Sequence, residues 1–359
     1  MWYKPYGKTG KQISVIGSGG MRYAEPNDID KSAAVVMRAY ERGVNYFDTA
    51  PGYLDDKSEF IVGAALRQMK PGTFYTSTKT FGGNEADLRF DLDKSLKRLG
   101  VDHIDFFHIW CIITLDAWRQ RCDGGAVKAA FKAKEEGLIK HVVVSSHLPG
   151  NELTSVLKEG QFEGVTLGYC AIDFPYRQEA VDAAHAMGLG VVTMNPLGGG
   201  LIPQQAQLLD FLRGPNDPSV TAAALRFNIS QPAITSALVG FSTVEQVDEA
   251  CDAVENFSPY PAEYIQSMRE RFAPSFKGFC SGCRYCLPCP KGVGIPQMMD
   301  AYNHKLMTGK DDAVTMRLAW HWGLKPADAA ACAECGVCEK RCTQQLPITQ
   351  RLKEIAKLA

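Results

Sequence analysis

Two kinds of segment alternate along the first 260 residues of the chain. Short runs rich in apolar, β-branched or aromatic residues predict eight strands: Ser14–Gly19, Tyr46–Ala50, Phe74–Lys79, Ile104–Trp110, His141–Ser146, Val165–Ile172, Val191–Pro196 and Ser236–Phe241. Most are separated by stretches of helical period: Lys31–Arg42, Glu59–Gln68, Asp87–Leu99, Ala126–Glu136, Glu179–Met187, Thr221–Ile229 and Val244–Phe257. Strands that alternate with helices of this length form right-handed βαβ units and a parallel sheet.

The number of these units favours a closed barrel. Eight of them in about 260 residues fit an α/β fold of the (β/α)8 TIM barrel type better than an open doubly wound sheet. The alternative is a Rossmann-type sheet, which normally carries a Gly-x-Gly-x-x-Gly fingerprint. Gly17-Ser18-Gly19-Gly20 follows a predicted strand but lacks that spacing. We therefore expect a barrel over residues 1–272.

The composition is that of a folded chain with almost no net charge. Of 359 residues, 45% are hydrophobic and 22% are charged, which excludes a disordered or low-complexity protein. A formal net charge of −1 provides no basic surface for nucleic acid or for an anionic membrane, and no run of about 18 apolar residues occurs. The opening residues lack the pattern of a secretory signal. These features predict a cytoplasmic protein with neither a nucleic-acid nor a membrane partner.

Cysteine usage is the one unusual feature of the composition, with 12 cysteines in the chain. Eight fall in two tight groups: Cys280, Cys283, Cys286, Cys289 and then Cys332, Cys335, Cys338, Cys342. The composition also changes near residue 272, so we expect a smaller, mainly helical second domain over residues 273–359. Its predicted helices are Gln297–Lys305 and Asp312–Trp322, and Trp320-His321-Trp322 is expected to pack near the clusters or the barrel. The scattered Cys111, Cys122, Cys170 and Cys251 are expected to be small buried core residues.

Four side chains of complementary chemistry lie near the ends of predicted strands two to four. They are Asp48, Lys79 and His108 at the strand ends and Tyr53 in the loop after strand two. In a TIM barrel these ends share one face, where active sites lie. The alkoxide formed when a hydride adds to a carbonyl needs a proton, which a tyrosine can donate. A buried lysine held by a carboxylate can lower the tyrosine pKa from about 10, and a histidine can hydrogen-bond the carbonyl oxygen.

Longer motifs around these residues resemble the aldo-keto reductase family from residue 1 to about residue 265. The matching segments are Phe47–Tyr53, Thr78-Lys79, Asp102–His108, Asn195–Gly200 and Gly240–Gln246, with Gly7–Gly10 and Ile13–Val15 similar to the family's N-terminal hairpin. The resemblance implies a nicotinamide cofactor, usually NADPH, bound without a Rossmann fold. It also implies that Tyr53 is the general acid, Lys79 tunes Tyr53, Asp48 holds Lys79, and His108 polarises the carbonyl.

The resemblance also indicates where the cofactor would bind. The loop with Pro196, Leu197, Gly198 and Gly200 has little side-chain bulk, so its backbone N–H groups could approach a pyrophosphate. Near the nicotinamide the expected contacts are Ser145, Ser146 and Met194. At the adenosine end they are Gly240, Ser242, Thr243, Gln246 and Glu249, although Ser242 and Thr243 also fit a simple helix N-cap.

Four of these positions depart from the commonest pattern of the family. Ser145-Ser146 stands where a Ser-Asn pair usually holds the carboxamide, and Thr166 where a Gln is usual. Met194 stands where a Tyr often stacks on the nicotinamide, and Gln246 where an Arg often pairs with the 2′-phosphate. The choice between NADP(H) and NAD(H) therefore stays open.

The two cysteine groups resemble the ligand runs of a ferredoxin with two [4Fe–4S] clusters. Three cysteines at x2 spacing suit one cluster, and a remote fourth cysteine completes it. By this analogy one cluster takes Cys280, Cys283, Cys286 and Cys342, and the other takes Cys332, Cys335, Cys338 and Cys289. The x2 step before Cys289 and the Thr343 after Cys342 depart from the usual run, so the fourth ligands stay open. Zinc also accepts paired Cys-x2-Cys units, whereas disulfides are not expected without a secretory signal.

Together these features predict one leading function and two alternatives. The leading function is an NAD(P)(H)-dependent oxidoreductase that interconverts an alcohol and a carbonyl in a small aldehyde, ketone or sugar-like substrate. Its clusters would be structural or would exchange electrons with a ferredoxin or flavoprotein partner. One alternative is an electron-transfer subunit that works with such a partner, since nicotinamides transfer hydride and clusters move single electrons. The other alternative is a non-enzymatic nicotinamide or redox sensor.

Overall fold

The computed structural model describes all residues except 276, 277, 281, 283, 343 and 344, and it describes no side chain at 269 or 271–275. Strands β1 (Tyr3–Pro5) and β2 (Gln12–Ser14) form an antiparallel hairpin. The strands that follow are β3 (Ile16–Gly19), β4 (Tyr46–Asp48), β5 (Tyr75–Thr80), β6 (Ile104–Ile112), β7 (Ile139–Ser146), β8 (Gly164–Gly168), β9 (Gly190–Met194) and β10 (Ser236–Gly240). They close into a parallel barrel in the order β3 to β10, with β10 pairing back onto β3.

Helices surround the barrel and build the C-terminal region. Around the barrel they are α1 (Ile29–Glu41), α2 (Ser58–Leu66), α3 (Glu85–Leu99), α4 (Leu115–Asp123), α5 (Ala126–Glu135), α6 (Gly150–Glu159), α7 (Gln178–Met187), α8 (Leu201–Gln204), α9 (Val220–Ser230), α10 (Val244–Val254) and α11 (Ala262–Ser275). In the C-terminal region they are α12 (Ile295–Thr308), α13 (Asp312–Arg317), α14 (Val337–Arg341) and α15 (Ile348–Ala356), with a π-helical turn at Leu318–Trp322.

The predicted (β/α)8 barrel is confirmed, and each of the eight predicted runs contains one barrel strand. Four helices around the barrel, α4, α6, α8 and α11, were not predicted from the sequence. Trp118 is the buried residue of α4, so this helix presents no apolar stripe that a periodicity could reveal. Helix α6 begins at Gly150 directly after Pro149, and these two residues suggest a turn rather than a helix start.

Short side chains and glycines fix where the barrel helices begin and end. Asn84 caps α3 by accepting a hydrogen bond from the Asp87 amide, and Ser219 caps α9 by accepting one from the Ala222 amide. Gly100 ends α3 in the left-handed conformation, with φ of 70°. A glycine tolerates this conformation at the end of a helix, so the chain can turn at once toward β6.

Aromatic and aliphatic side chains fill the barrel at its N-terminal end. Tyr6, from the hairpin, packs there with Phe106, Val143 and Val192, among other buried side chains. The approach is close because a Cβ at Gly164 or Gly190 would lie within 2.2 Å of the Tyr6 side chain. This end of the barrel is therefore closed and apolar, and polar chemistry is confined to the opposite end.

The C-terminal region, residues 278–359 and hereafter the tail, has a hydrophobic core of its own. Helices α12 and α15 contribute Met298, Met299, Leu352 and Ile355, among other buried side chains. Tyr176, from the loop after β8, belongs to the same core. The tail therefore packs directly onto the barrel loop that carries Tyr176.

A buried ion network also joins the tail to the barrel. The Arg317 guanidinium lies 2.7 Å from Asp300 within the tail and 2.9 Å from Asp173 after β8. Trp322 Nε1 donates to Asp300 Oδ2 at 2.6 Å. All three charged side chains are at least nine-tenths buried, so each depends on the others for charge compensation.

Arg177 forms a second link between the two parts of the chain. It is fully buried, and its Nη2 donates to the carbonyl oxygens of His147 at 2.6 Å and His321 at 3.3 Å. Its guanidinium lies 4.3 Å from the centre of the Trp322 ring. The expected packing role of the Trp320–Trp322 segment is thus confirmed for Trp322, whereas Trp320 is exposed.

Candidate functional site

Asp48, Lys79 and His108 converge at the C-terminal end of the barrel. They lie on the neighbouring strands β4, β5 and β6, and Lys79 is directly paired with His108 in the strand register. Asp48 and Lys79 are each 2% exposed and His108 is fully buried. The structure therefore brings together three of the four predicted side chains inside the barrel, shielded from solvent.

The Lys79–Asp48 pair is a buried salt bridge. Lys79 Nζ lies 2.5 Å from Asp48 Oδ1 and 2.7 Å from the Thr49 carbonyl oxygen. Burial lowers the pKa of Lys79, and the charge of Asp48 and its hydrogen bond oppose that shift. The carboxylate therefore keeps a cation in a place where burial alone would favour the neutral amine.

Ser77 connects this pair to His108. It was not predicted from the sequence to be a site residue. Its Oγ donates to Asp48 Oδ2 at 2.6 Å, accepts from Tyr46 at 3.0 Å, and lies 2.9 Å from His108 Nε2. Ser77 is two residues before Lys79 on β5, so the period of the strand places both side chains on one face. That period could have revealed Ser77 from the sequence.

His108 is held as a neutral imidazole. Burial, followed by the charge of Lys79, lowers its pKa well below the ordinary value. With Ser77 donating to the carboxylate, Nε2 is the nitrogen that donates to Ser77. His108 Nδ1 makes no hydrogen bond to the described residues. The histidine therefore supports the buried pair in this structure, in addition to any contact with a substrate.

Tyr53 lies over the buried pair, in the loop after β4. The Lys79 ammonium is 5.5 Å from the centre of the Tyr53 ring, and Trp110 packs edge-on against that ring with centroids 5.3 Å apart. Burial raises the pKa of Tyr53, and Asp48 and Cys111 raise it further. The expected lowering of this pKa by the buried lysine is therefore not the net effect in this structure, and the phenol is protonated at neutral pH.

An aromatic wall borders Tyr53. Trp110 at the end of β6 stacks on Phe81, with ring centroids 3.8 Å apart, and Phe81 is 51% exposed. Cys111 follows Trp110 with a φ of 58°, where the pairing of β6 with β7 shifts register. Such a conformation is uncommon for a residue with a side chain. It turns the strand just above the buried polar side chains that lie beneath Tyr53.

The four scattered cysteines do not all behave as predicted. Cys170 and Cys251 are buried, as expected for core residues, whereas Cys111 is only partly buried. Cys122 is exposed, so its interpretation as a core residue is wrong. The reason is that Cys122 lies on α4, whose buried residue is Trp118.

Two of the three residues predicted near the nicotinamide face the barrel interior or its rim. Ser145 is buried on β7, pairs in register with Thr166 on β8, and its Oγ makes no hydrogen bond to the described residues. Met194 ends β9 and is partly exposed. Ser146 is already engaged, since its Oγ donates to the Ile112 carbonyl oxygen at 2.8 Å.

The glycine loop after β9 has the open backbone that its sequence predicts. Gly198, Gly199 and Gly200 have φ values of 62°, 71° and 98°, so this turn requires glycine. Pro196 and Leu197 precede them, and the Gly198 amide donates to the Asn195 carbonyl oxygen at 2.8 Å. The loop follows β9 directly, at the same end of the barrel as Lys79.

The residues predicted for the adenosine end cluster after β10. The Gln246 side chain accepts from the Ser242 amide at 2.8 Å, and Thr243 precedes α10 without capping it. Glu249, also on α10, accepts a long 3.5 Å hydrogen bond from Ser219. These residues lie in and just before α10, and none of the predicted contacts is a lysine or an arginine.

Arg22 is a cationic residue beside the predicted adenosine end of the cofactor. It was not predicted from the sequence to be a site residue. A Cβ at Gly240 would lie 2.7 Å from Arg22 Cγ, so the arginine side chain rests directly on Gly240. The Ala24 amide also donates to the Ser242 carbonyl oxygen at 3.2 Å. Arg22 is far from Gly240 in sequence, so only the closed barrel, in which β10 pairs with β3, brings them together.

The two cysteine groups adopt the same backbone pattern. Two residues after the first cysteine, φ is positive in both, 70° at Gly282 and 56° at Glu334. Four residues after it, φ is again positive, 65° at Arg284 and 69° at Gly336. A residue with a side chain rarely adopts this conformation, yet Glu334 and Arg284 both do. The shared turns show that the two groups are structural repeats.

Backbone amides point at three of the cysteine sulfurs. The Gly282 amide donates to Cys280 Sγ at 3.5 Å, and the Glu334 amide makes the equivalent bond to Cys332 Sγ at 3.4 Å. The Leu346 amide donates to Cys342 Sγ at 3.5 Å. Hydrogen bonds to ligating sulfurs are a regular feature of iron–sulfur sites. The loops therefore fit thiolate ligands.

The predicted cluster ligands converge on the core of the tail. Cys338 is part of that core, and Cys280, Cys286, Cys289, Cys332 and Cys342 pack against it. Cys335 is exposed, and Cys283 lies outside the described residues. None of the described cysteines forms a disulfide. Across the described part of the chain, no three His, Cys, Asp or Glu side chains lie close enough to hold a single metal ion.

The tail lies at the same end of the barrel as Lys79 and Tyr53. Its contacts are with segments that follow strands at their C-terminal ends, Ile113 and Thr114 after β6, His147 after β7, and Asp173 after β8. A separate cavity of about 500 Å³, lined by residues such as Tyr3, Asn45 and Tyr75, lies at the opposite, N-terminal end. No helix in the described ranges is long and apolar enough to cross a membrane.

Comparisons with known proteins match both parts of the chain. A model of the Aldo/keto reductase family matches residues 15–271, and a model of a 4Fe-4S dicluster domain matches residues 279–347. L-galactose dehydrogenase of Arabidopsis thaliana is 28% identical over 281 residues, covering 69% of this chain and 86% of that protein. The uncharacterized oxidoreductase YrpG of Bacillus subtilis is 25% identical over 307 residues, covering 71% of this chain and 91% of that protein.

A solved structure shares the barrel. The aldo-keto reductase AKR11C1 from Bacillus halodurans, in its holo form, superposes with a TM-score of 0.66. It is 24% identical in sequence, and the match covers 75% of this chain and 96% of that one.

Proposed function

The chain belongs to the aldo/keto reductase family of oxidoreductases and carries a 4Fe-4S dicluster domain after its barrel, and from this we propose an NAD(P)(H)-dependent reaction between a carbonyl compound and its alcohol. The observation that carries the proposal is the buried Lys79–Asp48 pair beneath Tyr53. A surface role cannot explain a lysine and an aspartate that are each 2% exposed. Proton transfer to a substrate above them can explain it.

We assign the proton to Tyr53. Its hydroxyl stays protonated because burial and Asp48 raise its pKa, and it would give that proton to the oxygen of a carbonyl bound at the barrel mouth. The nicotinamide supplies the hydride that goes to the carbonyl carbon. Lys79, held by Asp48, would stabilise the phenolate that remains. In the oxidation direction the same phenolate takes the alcohol proton.

We propose that His108 orients the carbonyl oxygen from the other side. Its neutral form suits this task, since a neutral imidazole can donate a hydrogen bond without adding a charge. In the present structure Nε2 is bound to Ser77 at 2.9 Å. Donation of a hydrogen bond to a substrate would therefore compete with the hydrogen bond to Ser77.

The cofactor would extend from β7 to α10 across the mouth. Ser145 and Thr166 have buried hydroxyls that make no hydrogen bond to the described residues, which suits a carboxamide. The glycine turn at 198–200 would face the pyrophosphate. Arg22 resting on Gly240 supplies the positive charge that Gln246 lacks, so we propose NADP(H) as the preferred cofactor.

We propose a small polyhydroxy or sugar-like carbonyl compound as substrate. Trp110 and Phe81 form an aromatic wall beside Tyr53, and buried polar groups lie below it. An aromatic wall with a few convergent polar groups is typical of a small-molecule site. L-galactose dehydrogenase, one of the relatives, is named for a sugar.

We propose that the eight grouped cysteines hold two [4Fe–4S] clusters. The equivalent turns of the two groups and the amides directed at Cys280, Cys332 and Cys342 support this assignment. The clusters would exchange single electrons with a ferredoxin or flavoprotein partner. The position of the tail at the barrel mouth favours this second activity, because cluster and substrate then share one end of the molecule.

The test of the barrel chemistry is an anaerobic assay of NADPH and NADH oxidation across a panel of aldehydes, ketones and sugars. We expect Tyr53→Phe to lower kcat by about 10²- to 10⁴-fold, the usual contribution of a general acid. Tyr75→Phe is the matched control, since Tyr75 packs against Phe106 at the opposite end of the barrel. Full turnover by Tyr53→Phe would refute the assignment.

A further inference from the structure

Tyr176 is a barrel residue that lies inside the core of the tail. It follows β8, is 4% exposed, and packs with the hydrophobic side chains that surround the cysteine groups. Its ring also contacts Trp322, with centroids 5.3 Å apart. Its place in the fold is thus on the border between the proposed substrate site and the proposed clusters.

The loop of the first cysteine group rests on the phenol end of Tyr176. A Cβ at Gly282 would lie 3.2 Å from Tyr176 Cε2 and 3.3 Å from Cζ, the carbon that carries the hydroxyl. The Gly282 amide in turn donates to Cys280 Sγ at 3.5 Å. Gly282 therefore contacts both the sulfur of Cys280 and the hydroxyl-bearing edge of the tyrosine.

Cys280 is also held firmly in this position. Its amide donates to Asn303 Oδ1 at 2.9 Å, and Asn303 Nδ2 donates back to the Cys280 carbonyl oxygen at 2.9 Å. Asn303 lies on α12 and is 3% exposed. The paired bonds fix the backbone of Cys280 to α12.

The Tyr176 hydroxyl is buried and makes no regular hydrogen bond to the described residues. A buried hydroxyl without an acceptor costs about 1–3 kcal/mol, so such a group usually signals a missing partner. Cys280 packs against the same core, two residues before the Gly282 that touches the phenol. A neutral thiol is a poor acceptor, whereas the thiolate of a cluster ligand is a strong one.

We propose that the Tyr176 hydroxyl donates a hydrogen bond to the sulfur of Cys280 when that cysteine binds a [4Fe–4S] cluster. This inference rests on the proposed function, in which Cys280 is a ligand. A hydrogen bond to a ligating sulfur stabilises the more negative, reduced cluster and raises its reduction potential. Tyr176 is thus a tuning residue that the barrel contributes to the cluster nearest to it.

The neighbouring residue, Arg177, connects this contact to the barrel interior. Arg177 Nη1 lies 3.5 Å from the position of a Cβ at Gly168, on the inner face of β8, while its Nη2 reaches the His321 carbonyl of the tail. Two consecutive residues therefore touch the cluster loop and the barrel interior.

The test is a potentiometric titration followed by electron paramagnetic resonance, on the full chain purified without oxygen and assayed for iron and sulfide. Compared with the wild type, Tyr176→Phe should lower the midpoint of one cluster and leave the other unchanged. We expect the reduced-to-oxidised ratio at a fixed potential to fall about three- to tenfold, where tenfold equals 59 mV for a one-electron couple. Unchanged midpoints with full iron content would overturn the proposal and leave the proposed function standing.

Tyr302→Phe is the matched control. Tyr302 is buried in the same core, but its hydroxyl donates to Glu354 at 2.5 Å. Both midpoints should stay where they are in this variant, and an equal shift in the two variants would overturn the specific role of Tyr176. A wild-type protein without iron and sulfide would instead contradict the cluster assignment itself.

A second measurement detects the proton of this hydrogen bond directly. Pulsed electron–nuclear double resonance of the reduced wild-type protein should show a strongly coupled proton that exchanges in D2O, beyond those of the backbone amides. Amide protons near the cluster also exchange in D2O. The spectrum is therefore compared with that of Tyr176→Phe, which lacks only the tyrosine hydroxyl. Identical proton couplings in the two proteins would count against the hydrogen bond.

Discussion

Lys79 shows at the scale of a single residue how burial and charge are balanced in the barrel. The ammonium is 2% exposed and is paired with Asp48, which is equally buried. Removing one partner of such a pair typically costs about 3–5 kcal/mol, because the other charge is left alone in a poorly solvated place. A buried charge pair of this kind indicates a functional role, and the phenol of Tyr53 lies directly above it.

The pH dependence of the reaction follows from the raised pKa of Tyr53. A group whose pKa is raised stays protonated as the pH rises, so carbonyl reduction should keep a constant kcat/KM from about pH 6 to about pH 9, below the ordinary tyrosine pKa of about 10. Alcohol oxidation needs the phenolate and should instead speed up with pH. Steady-state rates in both directions check this. Reduction that declines with a midpoint near pH 7 would show that another group gives the proton.

Individual site residues were predictable to different degrees. Asp48, Lys79 and His108 could be placed together because each lies near the end of a predicted strand, and the ends of parallel strands meet at one face. Ser77 was equally accessible through the two-residue period of β5. Arg22 was not, since its contact with Gly240 exists only because the barrel closes between β10 and β3.

At the scale of elements, periodicity was sufficient for the barrel but not for every helix. All eight strands were found because each lies in a short run rich in apolar, β-branched or aromatic residues. Helix α4 was missed because Trp118 is its buried residue, so most of its surface is polar. The turns of the cysteine groups could not be predicted either, because positive φ at Glu334 and Arg284 runs against residue preference.

The docking of the tail depends on elements that belong to different parts of the chain. Asp173, after β8, pairs with Arg317, at the end of α13, and both are nearly fully buried. Asp173→Asn keeps the shape of the side chain but removes its charge, which leaves Arg317 with Asp300 alone. We expect a loss of about 3 kcal/mol in the free energy of unfolding and faster proteolytic release of the tail.

Thermal unfolding and limited proteolysis measure these effects at equal iron content. Asp210→Asn serves as the control, because its pairing with Arg213 is exposed and should contribute less than about 1 kcal/mol. Equal behaviour of the two variants would show that the ion network does not hold the tail in place.

At the scale of the whole molecule, charge is distributed unevenly between the two parts. The net charge of the chain is −1, yet the tail, residues 278–359, contains 11 Lys and Arg against seven Asp and Glu. A [4Fe–4S] cluster with four thiolates carries a formal charge of about −2 in its oxidised form. Two such clusters would nearly neutralise the basic tail. The tail composition is therefore suited to clusters as resident groups.

The barrel and the tail meet where both kinds of redox chemistry would occur. Arg317, Arg177 and Tyr176 join the tail to loops at the C-terminal end of the strands, the end that holds Lys79 and Tyr53. The central claim is that hydride from a nicotinamide, and not an electron from a cluster, reaches the carbonyl carbon in this barrel.

Isotope transfer tests that claim most directly. NADPH deuterated at C4 of the nicotinamide, on each face in turn, is incubated anaerobically with the best carbonyl substrate of the panel, and the alcohol is analysed by mass spectrometry and NMR. One label face should place a single deuterium on the carbinol carbon. Alcohol that forms at full rate without deuterium from either face, while the cluster signals change, would contradict the account.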